Sequence, residues 1–356
     1  MVINREFWRG KRVFITGHTG FKGGWLVLWL ADMGVEVHGY ALTPPTEPNL
    51  FTVANLQDRL ASSTIADIRD ASSLTKAIQM AQPDIVLHLA AQPLVRYSYV
   101  APVETYAVNV MGTVNLMEAV RQTPGVKAVV NVTTDKCYEN REWVWPYREN
   151  EAMGGFDPYS SSKACSELVT AAYRQSFLAP AGIQIASARA GNVIGGGDWA
   201  NDRLVPDFLR ALDAGETLTV RSPQATRPWQ HVLEPLSGYL KLAEKLFTEG
   251  QGFAGAWNFG PEEADARPVQ WIVEYLCSQM PGAAWQSDAL TQPHEANTLK
   301  LDSSKAGTRL RWRPRWRLPT ALEMTLAWHQ AWKQGSDMTA ISMQQIQEYE
   351  AATRQT

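Results

Sequence analysis

Cysteine is scarce in this chain. Its 356 residues include three, Cys137, Cys165 and Cys277, an odd number with no C-x-x-C spacing. That argues against a disulfide framework and against a cysteine-built zinc site; no metal is expected, and thiols kept reduced in the cytoplasm are the economical reading. Long apolar runs are missing too. The stretch at residues 25–31 is far shorter than the roughly 18 residues a spanning helix needs. The opening MVINREFWRG carries no apolar leader segment. A cytoplasmic location with no membrane partner is therefore expected. Charge of one sign is not in excess either: 33 Lys and Arg face 36 Asp and Glu, a net charge of -3, so no overall field favours nucleic acid.

What is present is a globular composition, 45% hydrophobic with 25 Gly and 20 Pro, long enough for about two domains. Short β-branched runs at 12–16, 35–41, 85–89, 128–133 and 184–190 alternate with helical periodicities at 21–33, 71–80, 102–121 and 159–178. This alternation predicts βαβ units in a doubly wound parallel α/β sheet of the Rossmann type. Residues 1–190 are expected to form a dinucleotide-binding domain. Residues 191–356, looser and punctuated by Gly195-Gly-Gly197 and Arg227-Pro-Trp229, are expected to form a smaller α/β substrate domain, mostly C-terminal, with segments interleaved into the first.

Gly17-His-Thr-Gly20-Phe-Lys-Gly23 lies between the first strand and the first helix. Glycines there let the backbone turn tightly and approach a pyrophosphate held by helix N-terminal amides. Gly17, Thr19, Gly20, Phe21, Lys22 and Gly23 are thus cofactor candidates. The acidic residue that would read a ribose after the second strand is missing from His38-Gly-Tyr40-Ala-Leu-Thr43, and no arginine replaces it. NAD is favoured over NADP by default. Asp67 and Ile68, after an apparent third strand, are read either as adenine contacts or as a surface turn.

Tyr159 and Lys163 stand four apart, on one face of a helix. An ammonium near a phenol favours the phenolate, which can take a hydroxyl proton. Thr133-Thr134-Asp135-Lys136 ends a strand, where open parallel sheets place ligands. The alternative for the Asp-Lys pair is a solvated loop, but its position just before the Y-x-x-x-K helix favours an active site.

With these segments on the page, the chain resembles the extended short-chain dehydrogenase/reductases over nearly its whole length. Leu89-Ala90-Ala91-Gln92, Asn109-Val-Met-Gly-Thr113 and Arg189-Ala-Gly-Asn192 add to the likeness. Within that family it is most similar to the nucleotide-sugar 4,6-dehydratases, in particular their CDP-glucose branch, on Gly17 to Trp25, Thr134-Asp-Lys136, Gly195 to Arg203 and Arg227-Pro-Trp-Gln-His231. The dTDP-glucose and GDP-mannose dehydratases resemble this site but carry Glu where this chain has Lys136.

The resemblance implies NAD as a recycled oxidant, contacted also by Leu89, Ala90 and Ala91. It implies Tyr159 as base for the sugar 4-hydroxyl, supported by Thr134 and Lys163, with Asp135 as acid at the C6 hydroxyl and Lys136 as base at C5. A lysine accepts a proton only when neutral, which calls for desolvation and neighbouring positive charge. Asn192, Arg203 and Arg227 are candidates for the diphosphate and its ribose, Arg203 with a surface ion pair as the equal alternative. Arg96 and Tyr97 are candidates for the sugar, while His231, Trp25 and Trp29 are read as packing residues. The family habit implies a homodimer or dimer of dimers through helices 102–121 and 159–178. Two rivals stay open: an epimerase, which needs no acid-base pair beside Thr134, and a non-catalytic dinucleotide sensor. Arg309 to Arg317, five arginines with two tryptophans, raises a nucleic-acid surface, outweighed by its shortness and the negative net charge.

Overall fold

A computed structural model describes residues 3–288 and 297–352. Seven parallel strands make the central sheet: β1 (Arg12–Thr16), β2 (Glu36–Ala41), β3 (Ser62–Ile65), β4 (Ile85–His88), β5 (Ala128–Val132), β6 (Gln184–Ala190) and β7 (Gly255–Phe259), in the spatial order β7-β6-β5-β4-β1-β2-β3. β4 and β5 are buried along their whole length, as a sheet covered on both faces requires. The strand order reverses between β1 and β4. Beyond the strand C-termini this leaves a crevice for ligands.

Helices cover both faces. On one lie α1 (Phe21–Asp32) and α6 (Leu233–Glu249), sharing a core with Trp25, Trp29, Leu236 and Leu240. On the other lie α2 (Ala71–Ala81) and α3, the helical residues 102–121, with Leu74, Ile78, Leu116 and Val120. Asp70 caps α2 by accepting from the amides of Ser72 and Ser73. α4 (Pro158–Tyr173) starts on Asp157, whose carboxylate accepts from Ser160 N, with Pro158 in the first turn, where a missing N–H costs nothing.

Periodicity missed β7. Gly255–Phe259 pairs with β6 from Gly255↔Ala186 to Phe259↔Ala190, so the chain returns to the first sheet partway through building the smaller lobe. That lobe packs α5 (Leu204–Ala214), α7 (Val269–Gln279) and α8 (Leu318–Lys333) around Phe208, Ile272, Leu276 and Leu322. Its short ribbons pair 217–220 with 284–287 and 226–228 with 266–268. α9 (Met338–Ala351) lies back on α1: Trp29 donates to Glu350 at 2.9 Å and stands edge-on to Tyr349.

The arginine-tryptophan segment serves this closure. Trp312 and Trp316 are buried, and Arg315 donates to the carbonyls of Tyr349 and Glu350 at 2.7 and 2.6 Å. Stacking platforms for bases need exposed rings, and these are spent on the core. Trp25 and His231 are likewise packed, their rings 6.0 Å apart, and burial pulls the His231 imidazole down to about 3.

Candidate active site

Between β1 and α1 the chain turns at Gly17, whose φ is +82°. A Cβ on Gly23 would stand 2.0 Å from the Gly17 carbonyl oxygen, and one on Gly17 would stand 2.8 Å from Ala90 N. Only glycine permits this closeness of loop, helix and neighbouring strand. Gly20 caps α1 with no side-chain hydrogen bond, and the first turn holds no acidic residue. The end of the helix is therefore open to an anion. Thr19 Oγ1 donates to Leu42 O at 2.8 Å, fixing the loop to the end of β2.

The segment after β4 is pinned by buried polar groups. The amides of Leu89 and Ala90 both donate to Thr16 Oγ1 at 3.1 Å. Asn109 receives the amide of Gln92 at 2.8 Å and donates to Gln92 O and to Ser162 Oγ. Asp67 turns its carboxylate to Arg69, which holds its pKa below the usual range, and takes the Tyr40 hydroxyl on its carbonyl. Ile68 is buried against Gly112.

Thr134 sits just past β5 with its hydroxyl 3.0 Å from Asp135 Oδ1. Burial pushes the Tyr159 phenol up to about 12, opposed by a hydrogen bond with Thr134. Lys163 donates to Val132 O at 3.1 Å, and burial draws it down to about 8. The expected phenolate is therefore not the state of the protein alone: desolvation disfavours both charges and outweighs their proximity.

Asp135 is buried, and burial raises its pKa despite Lys136, Thr134, Arg227 and Lys22 around it. Its Oδ2 has no hydrogen-bond partner among the described residues. A raised, one-sidedly satisfied carboxyl suits a proton donor. Lys136 follows in a short turn, partly exposed. Behind them Glu167 accepts from Thr133 Oγ1 and Ser187 Oγ, each at 2.5 Å, and from Arg189 Nε at 3.0 Å. Sequence reasoning overlooked Glu167, although it continues the four-residue spacing of Tyr159 and Lys163.

One cavity of about 580 Å³ joins these parts. Its wall includes every cofactor candidate from Gly17 to Ala91, the catalytic candidates Thr134, Asp135, Lys136, Tyr159 and Lys163, and Arg96, Asn192, Arg203 and Arg227. The arginines there are engaged: Arg203 with Asp198 at 2.7 Å, Arg96 with Asp202 at 3.6 Å, and Arg227 with the carbonyls of Thr226 and Asn297 at 3.1 and 3.2 Å. Tyr97 is not in that wall; its hydroxyl donates to Glu104 at 2.6 Å and the residue is exposed. Asp198, Asp202 and Arg221 also line the cavity; they lie in irregular segments where spacing carries no signal. Among the described residues no group of His, Cys, Asp and Glu could hold a metal. The glycine cradle, the open helix end and the pinned Leu89–Ala91 segment fit a dinucleotide.

A doubly wound sheet bearing a glycine cradle and a Thr-Tyr-Lys centre defines a class, and comparison places the chain in it. Residues 14–257 match the sequence profile of the GDP-mannose 4,6 dehydratase family, and the chain belongs to that family. It is 55% identical over 358 residues to the CDP-glucose 4,6-dehydratase of Salmonella typhimurium, covering 99% of each chain. It is 27% identical over 343 residues to the dTDP-glucose 4,6-dehydratase of Xanthomonas campestris, covering 90% of this chain and 94% of the other. Among solved structures, the UDP-glucuronic acid 4-epimerase of Bacillus cereus, in complex with UDP-glucuronic acid and NAD, superposes with a TM-score of 0.77 at 23% identity. That match covers 90% of this chain and 99% of the epimerase, and shows a shared fold.

Proposed function

We propose that the protein converts CDP-D-glucose to CDP-4-keto-6-deoxy-D-glucose as an NAD-dependent hydro-lyase. When bound, NAD would supply a reversible hydride acceptor for oxidation at C4 and reduction at C6. It would lie on Gly17, Thr19, Gly20, Phe21, Lys22 and Gly23, with Asp67 and Ile68 at one end and Leu89, Ala90 and Ala91 beside it. Tyr159 removes the 4-hydroxyl proton, with Thr134 holding the developing oxyanion and Lys163 the phenolate. The resulting ketone acidifies C5–H. Lys136 takes that proton, Asp135 delivers one to the departing C6 hydroxyl, and water leaves; Lys136 then returns a proton to C5. Asn192, Arg203 and Arg227 would hold the diphosphate and its ribose; Arg96, expected at the sugar, meets the same Asp202 oxygen as Arg221 and would sit with it at the nucleotide end.

The observation that carries elimination over epimerisation is the buried Asp135 with its unpartnered Oδ2, next to Lys136. An epimerase needs neither. The nucleotide rests on the near full-length identity to the Salmonella enzyme. Retention of Thr134, Tyr159 and Lys163 together argues against a sensor. CDP-glucose carrying deuterium at C4 should lose one water and yield product with that deuterium at C6 of the same molecule, with solvent deuterium at C5 alone. Stoichiometric free NADH, or label scrambled between molecules in a mixed-substrate experiment, would refute the assignment.

We also propose that residues 1–190 act chiefly as the cofactor lobe and 191–356 chiefly as the substrate lobe, in a cytoplasmic enzyme. No described helix is long and apolar enough to cross a membrane. The exposed Val103, Tyr106, Met111, Leu168 and Phe177 on helices 102–121 and 158–178 support a homodimer through those helices, or a dimer of dimers.

A further inference from the structure

A nucleotide sugar is a linear ligand, and the cavity orders its parts. The sugar belongs at Tyr159 and Asp135. Next to them come Asn192 and Arg227: a Cβ on Gly191 would stand 3.0 Å from Asp135 Oδ2 and 2.4 Å from Pro228 Cγ, so the residues flanking Gly191 and Pro228 adjoin the reacting end. Arg203 follows, and beside it Asp202 ties in Arg221, which stands just beyond the strand at 217–220. Around Arg221 the cavity wall carries Leu204, Val205, Leu218, Val220 and Val269, with the polar Thr219 and Ser222 among them. Apolar walls with a few polar groups suit a planar base.

We propose that Arg221 is the specificity-determining residue that reads the nucleobase, donating its guanidinium fork to the adjacent N3 and O2 acceptors of cytosine. This rests on the CDP-glucose reading and deepens it. Arg221 lines the cavity, and the one hydrogen bond it makes among the described residues runs from Nη1 to Asp202 Oδ1 at 2.6 Å. That bond orients the plane and leaves further N–H donors uncommitted, since a guanidinium has five. Cytosine offers two neighbouring lone pairs to such a fork. Uracil and thymine carry a hydrogen on N3, so the same fork meets a donor and loses one bond while desolvated. Sites that pair with a specific polar edge reject the mismatched edge strongly. Asp202 acts through Arg221 as a positioning residue.

The test compares CMP and UMP binding to the NAD-loaded enzyme by calorimetry, for the parent, Arg221→Met and Arg221→Lys. The parent should prefer CMP. Both variants should lose CMP affinity by roughly 10²-fold, the loss expected for a charge-assisted pair, while UMP, held at O2 but opposed at N3, should lose no more than about tenfold. Lysine fails because it keeps the charge but not the fork. With CDP-glucose as substrate the loss should fall in KM, with kcat within a fewfold of the parent. Equal losses for CMP and UMP would make Arg221 a phosphate anchor, and full CMP preference in the lysine variant would make it a mere point charge; either overturns the proposal, as does no change. Failure of the dehydratase reading shows separately, as parent enzyme that does not consume CDP-glucose.

Discussion

Asp135→Asn separates the two halves of the chemistry. The amide is the same size as the carboxyl, and its oxygen can still accept the Thr134 hydroxyl that now lies 3.0 Å from Oδ1. Packing and oxidation at C4 should therefore survive. What the amide cannot do is surrender a proton from the position of Oδ2, the buried atom with no partner in the protein. Removing a positioned general acid costs about 10²- to 10⁴-fold, or roughly 3–5 kcal/mol of barrier. In a single-turnover reaction the near-ultraviolet absorbance of reduced nicotinamide should rise at the parental rate and then persist, because water departs too slowly for hydride to return. The parent should show it only transiently. Burial holds the Asp135 carboxyl above its usual range, so it stays protonated to higher pH than a free aspartate, and elimination should fall as pH climbs through that raised value. A variant that eliminates water at the parental rate would show that the proton comes from elsewhere.

Tyr159→Phe should abolish turnover while NAD binding, followed by fluorescence, stays close to the parent, since it deletes one oxygen and little volume. Lys136→Met should slow exchange of C5 with solvent by about 10²- to 10⁴-fold and leave sugar binding near normal; parental exchange would make Lys136 a bystander. Gly23→Ala forces a methyl to 2.0 Å from the Gly17 carbonyl, and should weaken cofactor binding at least tenfold with about 1–3 kcal/mol of lost stability in urea unfolding. Glu234 accepts from the amides of Arg315 and Trp316 and from the Tyr349 hydroxyl, and burial holds it at about 7 instead of 4.5. The unfolded chain binds fewer protons between those values, so stability drops as pH rises through that window, by about 3 kcal/mol. Glu234→Gln, which keeps an acceptor for the amides, should match the parent near pH 5 and exceed it near pH 8; a variant less stable at pH 8 would contradict the sign.

Local pattern by itself determined a good deal here. The apolar runs at 85–87 and 128–130, short, β-branched and without alternation, point to strands of a parallel sheet covered on both faces. Gly17, Gly20 and Gly23 announce a phosphate-approaching turn because no side chain fits there. Tyr159 and Lys163 share a face at any helix position, and a shared face is all their spacing needs. Sequence resemblance, not spacing, singled out Asp135 and Lys136 as an acid and base.

Tertiary structure decided the rest, wherever the partners are distant in sequence or the property belongs to an environment. β7 joins the sheet through hydrogen bonds to β6 about 70 residues earlier, and its five residues show no period a reader could separate from a loop. Glu167 becomes the support of the Thr133 hydroxyl only once β5, β6 and α4 meet around it. Arg203, with a surface ion pair as its equal alternative, and Arg96 are substrate candidates with no visible partner until the fold seats each against an aspartate in the cavity wall. The charge state of Tyr159 follows the same logic. Spacing predicts an ammonium nearby and hence a phenolate, but the cost of desolvation depends on everything packed around the ring, and here it wins.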